Sequence, residues 1–170
     1  MTESKHETRA PEPTHAERAR ALASARTAGA LSTLAKDPEG HPYGSLVSFA
    51  MHGSDPVFFL STLAVHTQHL ASDARASLLI ADLAGADPLA SERVTLLGRC
   101  ALDPSEAARD AYLCVHPDAA RYLTMRDFAI WRLSISSIRY IGGFGRMSWV
   151  DVEAWRAAPA MDASDSAHER

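Results

Sequence analysis

Residues 57–70 read Val57-Phe58-Phe59-Leu60-Ser61-Thr62-Leu63-Ala64-Val65-His66-Thr67-Gln68-His69-Leu70. A four-residue apolar run gives way to small hydroxyl residues and then to a polar stretch of helical character. A strand is therefore handed to a helix within a few residues. The first N–H groups of such a helix have no partners inside it, and its dipole favours negative charge. Ser61, Thr62, His66 and Thr67 gather at this junction, which reads as a seat for an anion, a phosphate above all.

On the N-terminal side, Ala30–Leu34 and Ser45–Ala50 read as two strands separated by a turn-rich segment, Lys36–Pro42. His52–Pro56 turns the chain into the strand at Val57. Strands joined by such short turns form an antiparallel meander rather than βαβ units. Thr14 and Glu17 match a capping box, which starts a helix running to about Arg26. On the C-terminal side a helix over Val65–Ala71 precedes two strands. Ala76–Asp82 has the apolar run of a strand buried on both faces, and Val94–Leu102 carries Gly98 as a bulge or close approach. Ser105 caps a helix through Val115, and a short helix spans Asp118–Leu123. Strands follow at Phe128–Leu133, Ile138–Ile141 and Met147–Val150. Six to eight strands with short helices between them fit one mainly β, α+β barrel. Residues 1–13 read as a disordered arm, 14–157 as a single domain and 158–170 as a disordered tail.

Composition narrows the function. The 170 residues are 46% hydrophobic and 22% charged, with a formal charge of −4. The arginines are scattered and no basic run tracks a phosphate backbone, so no nucleic-acid partner is expected. No apolar stretch reaches the roughly 18 residues that a membrane span needs, and the charged N-terminus is no secretory signal. Cys100 and Cys114 form neither a disulfide framework nor a zinc pattern. A cytoplasmic protein with no membrane partner is the expectation.

Gly142-Gly143-Phe144-Gly145 places three glycines around an aromatic directly after a strand. Two readings stand side by side: a turn between strands, or a loop whose backbone approaches a ligand with at least one glycine at positive φ. It lacks the spacing of a dinucleotide fingerprint. His66 and His69 are too few to close a metal site, so no metal is expected, with His66 facing the phosphate and His69 in solvent. Arg93 reads either as a phosphate partner or as a solvated strand end. Trp131, Trp149 and Trp155 read as core or interface residues. With no hydrolase or nucleotide-binding motif and no evident general base, a cofactor would carry any chemistry. The apolar strands and tryptophans exceed what one small core covers, and a homodimer is expected.

Three blocks in order, His41–Val47, Ser61–Leu70 and Arg139–Gly145, resemble the FMN-binding split-barrel superfamily of pyridoxamine 5′-phosphate oxidase. The likeness is strongest to its branch of HugZ-type haem-utilisation and CREG-like proteins. The resemblance implies an antiparallel split barrel and a homodimer with FMN at the subunit interface. Flavin contacts would come from Leu46, Val47, Ser48 and Phe49, and phosphate contacts from Ser61, Thr62, His66, Thr67 and Arg93. Gly142, Gly143, Phe144 and Gly145 would pass close to the cofactor. Ser45 replaces the arginine that the oxidase carries in its second strand, and the oxidase's terminal substrate motif is absent, so a true oxidase of that kind is not expected. The leading expectation is an FMN oxidoreductase of unknown substrate. The alternatives are a haem-binding or haem-degrading protein on the same barrel, and a non-catalytic CREG-like dimer. Haem-degrading members take an iron ligand from a C-terminal histidine, and the only histidine after Trp155 here is His168.

Overall fold

The computed structural model describes residues 12–82, 87–143 and 145–159. Most of the expected arm and tail, and Phe144 of the glycine loop, lie outside the described residues.

Helix α1 (His15–Ser24) begins where the sequence places it. Thr14 N donates to the Glu17 carboxylate at 2.7 Å and Glu17 N donates to Thr14 Oγ1 at 3.2 Å, which closes the capping box. Strands β1 (Ala28–Leu34) and β2 (Pro42–Ser48) form one hairpin, β3 (Ala50–His52) and β4 (Asp55–Ser61) another. After α2 (Val65–Ser72) come β5 (Arg75–Ala81) and β6 (Glu92–Leu102). Helix α3 (Glu106–Val115) and a 3₁₀ turn (Pro117–Tyr122) follow. The chain then returns to strand in β7 (Phe128–Gly142) and β8 (Met147–Val150), and α4 (Val152–Ala157) follows.

These strands make one eight-stranded sheet in the order β2-β1-β5-β6-β7-β4-β3, with β8 also on β7. The two ends of that path are the same stretch of chain. The second strand, expected to be continuous, breaks at Phe49, whose N–H donates to Thr27 O at 2.9 Å while its carbonyl meets His116 Nε2 at 2.9 Å. With its backbone groups diverted and its ring fully buried, Phe49 carries the chain from one sheet edge to the other, so the sheet curls round with β2 and β3 as its unpaired edges.

The strands expected at 128–133 and 138–141 are one strand of 15 residues. β6 pairs along its length, with a register shift between Leu97 and Gly98. A Cβ at Gly98 would lie 2.0 Å from Ser134 O, so only glycine allows this bulge. On its other edge β7 takes β4 over 128–132 and β8 over 138–141. Between them the barrel splits, and Asp55 Oδ1 accepts the Ile135 N–H at 3.1 Å. Strand β5 is not buried on both faces: Leu78 and Ile80 face the core, while Leu79 is 40% exposed.

The main core joins inward residues of the sheet to Leu22 of α1, Leu70 of α2 and Trp155 of α4. Trp155 is wholly buried, donates from Nε1 to Ser54 O at 2.9 Å and lies 5.0 Å beneath the Arg20 guanidinium. A second cluster outside the barrel packs Ala108 and Tyr112 of α3 on Ala50, Val57 and Ile130. Cys100 is buried and Cys114 exposed, both free. Among the described residues no helix is long and apolar enough to cross a membrane.

Candidate functional site

The corner between β4 and α2 forms as the sequence indicates, but Ser61 and most of its backbone N–H groups are committed within the chain. Ser61 Oγ donates to Asp127 Oδ2 at 2.6 Å and accepts the Leu63 N–H at 3.1 Å. Thr62 N donates to Asp127 O at 2.7 Å, Ala64 N to Ser61 O at 3.1 Å, and Thr67 N to Ala64 O at 3.0 Å. Ala64 is the N-cap and offers no side-chain acceptor. The Thr67 hydroxyl is sealed from solvent and has no hydrogen-bond partner.

His66 is half-buried; burial first and the neighbouring His69 second hold its imidazole pKa below the ordinary histidine value. It is therefore largely neutral at pH 7. His69 is not solvated: it is 5% exposed, its Nδ1 lies 3.0 Å from Thr33 Oγ1, and its ring meets Tyr43 edge-on at 5.0 Å. The inward face of a short helix closing a barrel end must be filled, and β1 supplies the hydroxyl that makes a histidine acceptable there. Among the described residues no group of three or more His, Cys, Asp or Glu side chains is placed to hold a metal.

Arg93 serves its own loop. Its Nη1 donates to the carbonyls of Pro88, Leu89 and Ser91 at 3.2–3.4 Å. A phosphate in the corner would thus meet the Asp127 carboxylate and a neutral imidazole, with no cation among the groups bonded there. The residues present do not fit the phosphate of FMN.

Leu46, Val47, Ser48 and Phe49 do not share a surface. Val47 and Phe49 are buried, whereas Leu46 and Ser48 face outward. Gly142, Gly143 and Gly145 belong to the β7–β8 hairpin, closed by Gly142 N donating to Arg146 O at 2.7 Å. The expected positive φ occurs twice, at Gly143 (92°) and Gly145 (76°). A Cβ on Gly142 would lie 2.7 Å from Tyr140 Oη, and one on Gly143 2.9 Å from Ala90 O. The hairpin accounts for all three glycines. Nor does one chain bring hairpin and corner together. Ser61 pairs with Phe128 at one end of β7 and Gly142 ends the other, about 46 Å away along the strand at ~3.3 Å per residue.

The outer face of the sheet carries a surface that sequence reading touched at Leu46, Arg93, Arg139 and Trp149 without joining them. The register aligns Leu46, Ala30, Leu79, Thr95, Arg139 and Trp149 in one row across six strands. The row runs about 24 Å at the ~4.8 Å spacing of strands. Leu46 is 83% and Trp149 63% exposed, and the Arg139 guanidinium lies 5.3 Å above the Trp149 ring. The next row adds Arg93, Ile141 and Met147. The usable signal lay in parity: apolar residues on outward-facing strand positions. Apolar area edged by guanidinium suits a flat apolar ligand bearing carboxylates, or a second copy of the chain.

Residues 10–157 match the family model described as CREG, beta-barrel. The chloroplastic haem oxygenase HOZ of Arabidopsis thaliana is 35% identical over 144 residues, which cover 81% of this chain and 43% of that protein. A solved haem-binding protein from Mycobacterium smegmatis superposes with a TM-score of 0.82 at 39% identity, over 88% of this chain and 63% of its own. The chain thus spans less than two thirds of either relative. A pyridoxamine 5′-phosphate oxidase-like protein from Listeria innocua shares the fold alone, with a TM-score of 0.60 at 14% identity over 76% of this chain and 100% of its own.

Proposed function

The chain belongs to the CREG β-barrel family, and on that premise we propose that it is a haem-binding protein that acts as a homodimer and holds haem against the outer face of its sheet. The observation carrying this reading is that two relatives above 30% identity are a haem oxygenase and a haem-binding protein. The outer face supports it. Leu46, Leu79 and Trp149 would cover the apolar macrocycle, and Arg139 would pair with a propionate through charge-assisted hydrogen bonds. A second copy on the same face would exclude water from the ligand and cover the exposed tryptophan. When bound, the iron supplies the oxygen and electron chemistry, and the barrel supplies orientation and dryness.

The second reading, an FMN oxidoreductase, rests on the partnerless Thr67 hydroxyl at the start of α2 and on the fold. Its phosphate would face Asp127.

One titration separates these readings. Haemin added to the purified chain is followed at the Soret band, with FMN and riboflavin in parallel by fluorescence quenching. The expected result is saturable haem binding at micromolar Kd or better, about −8 kcal/mol, and no tight flavin binding. Trp149→Glu should weaken haem at least tenfold and lower the mass seen by light scattering to that of one chain. The absence of a saturable Soret change overturns the haem reading. Tight FMN binding in its place establishes the second, and binding of neither ligand leaves a non-catalytic dimer module.

A further inference from the structure

We propose that Asp127 sets the ligand class of the β4–α2 corner: its carboxylate is a built-in anion that excludes phosphate-bearing ligands from a junction otherwise shaped to receive them. This does not rest on the haem reading and can fail or stand without it.

The geometry carries the argument. A strand end running into the first turn of an eight-residue helix is where anions settle, because N–H groups there point outward and the dipole is positive. The N-cap here, Ala64, supplies no acceptor of its own. The acceptor comes from elsewhere in the fold. Asp127 lies in the segment leading into β7, and it is fixed in the corner at two points. Its backbone carbonyl takes the Thr62 N–H and its side chain takes the Ser61 hydroxyl. The position an external phosphate would use to engage Ser61 is thus filled by an internal carboxylate. His66 is half-buried, and burial and His69 disfavour its charged form in the free chain, while Arg93 is spent on the carbonyls of its own loop. A phosphate dianion approaching Ser61 meets like charge at close range in a half-enclosed site, which disfavours it strongly.

The proposal predicts a gain of binding, which a merely structural role would not give. Asp127→Asn keeps an acceptor for Ser61 and removes the charge. FMN, riboflavin and inorganic phosphate are titrated calorimetrically into the wild-type chain and the variant, with near-ultraviolet circular dichroism as the check on folding. Expected for the wild type is no preference for FMN over riboflavin and no phosphate binding. For Asp127→Asn, FMN should bind at least tenfold more tightly than to the wild type, with riboflavin unchanged and inorganic phosphate competing. Adding Ser61→Ala to that variant should reverse most of the gain. If Asp127→Asn fails to fold, Asp127→Ser tests the same point with a smaller side chain. A wild-type chain that already prefers FMN tenfold overturns the proposal. So does a folded variant whose FMN affinity equals that of the wild type.

Discussion

Gly145→Ala and Gly143→Ala place the same methyl group at two positions of the β7–β8 hairpin, and the structure predicts different costs. At Gly145 φ is 76° and a Cβ would meet nothing within 4 Å. Only the backbone conformation is then penalised, by roughly 1–2 kcal/mol. The loss of a flexible glycine from the unfolded chain returns about 0.4–1 kcal/mol, leaving a net loss of about 1 kcal/mol. At Gly143 φ is 92° and the new Cβ would lie 2.9 Å from the Ala90 carbonyl oxygen. That atom is backbone and cannot swing away, so the hairpin must move off the loop it packs on. Overpacking of this kind adds about 1–3 kcal/mol. At roughly 2–4 °C per kcal/mol for a chain of this size, Gly145→Ala should lower the Tm by about 3 °C and Gly143→Ala by about 9 °C. Thermal unfolding followed by circular dichroism gives both values, with a haem titration on each folded variant. Equal losses at the two positions would refute the steric argument. A drop in haem affinity with an unchanged Tm in Gly145→Ala would place the hairpin against the ligand instead.

Trp155→Ala should cost about 3–5 kcal/mol in urea unfolding, because a wholly buried side chain is removed. Trp155→Phe should lose about 1–3 kcal/mol, since it fills most of the space but leaves the Ser54 carbonyl without its donor. Burial raises the Asp103 carboxyl pKa, but hydrogen bonds from Ser105 and the Arg132 guanidinium outweigh it and hold the group at about 2. A carboxyl lowered in the folded state contributes stability above its unfolded pKa and loses it as pH falls through the folded one. Unfolding free energy should therefore decline between about pH 4 and pH 2, and Asp103→Asn should flatten that slope; an unchanged slope would show that Asp103 is not the group responsible.

What could be read from the sequence was local. The Thr14–Glu17 box and the Ser105 cap involve residues three apart and appear as expected. The Gly98 bulge was visible because an isolated glycine in an apolar strand has few other uses. The features that were missed depend on partners distant in sequence. Phe49 breaks its strand because Thr27 and His116 take its backbone groups, and nothing around Phe49 signals either. Ser136-Ser137 looks like a strand break until β6 pairs across it. The strand-to-helix corner forms around Ser61, Thr62, His66 and Thr67 as read, but the carboxylate bonded in it was not visible: Asp127 lies 66 positions from Ser61. His69 was placed in solvent because its partner, Thr33, sits on a strand 36 residues earlier.

The position of β7 between its neighbours has a consequence for how the protein is made. Val57 pairs with Arg132, so β4 leaves the ribosome 75 residues before its partner does. At about 5–20 residues per second, the unpaired edge of β4, with Phe58 and Leu60 beside it, waits roughly 4–15 seconds. The same delay holds the β3–β4 hairpin apart from the rest of the sheet until β7 arrives to join it. During that interval the exposed strand edge can pair with other chains, which makes the nascent chain prone to aggregation until β7 emerges.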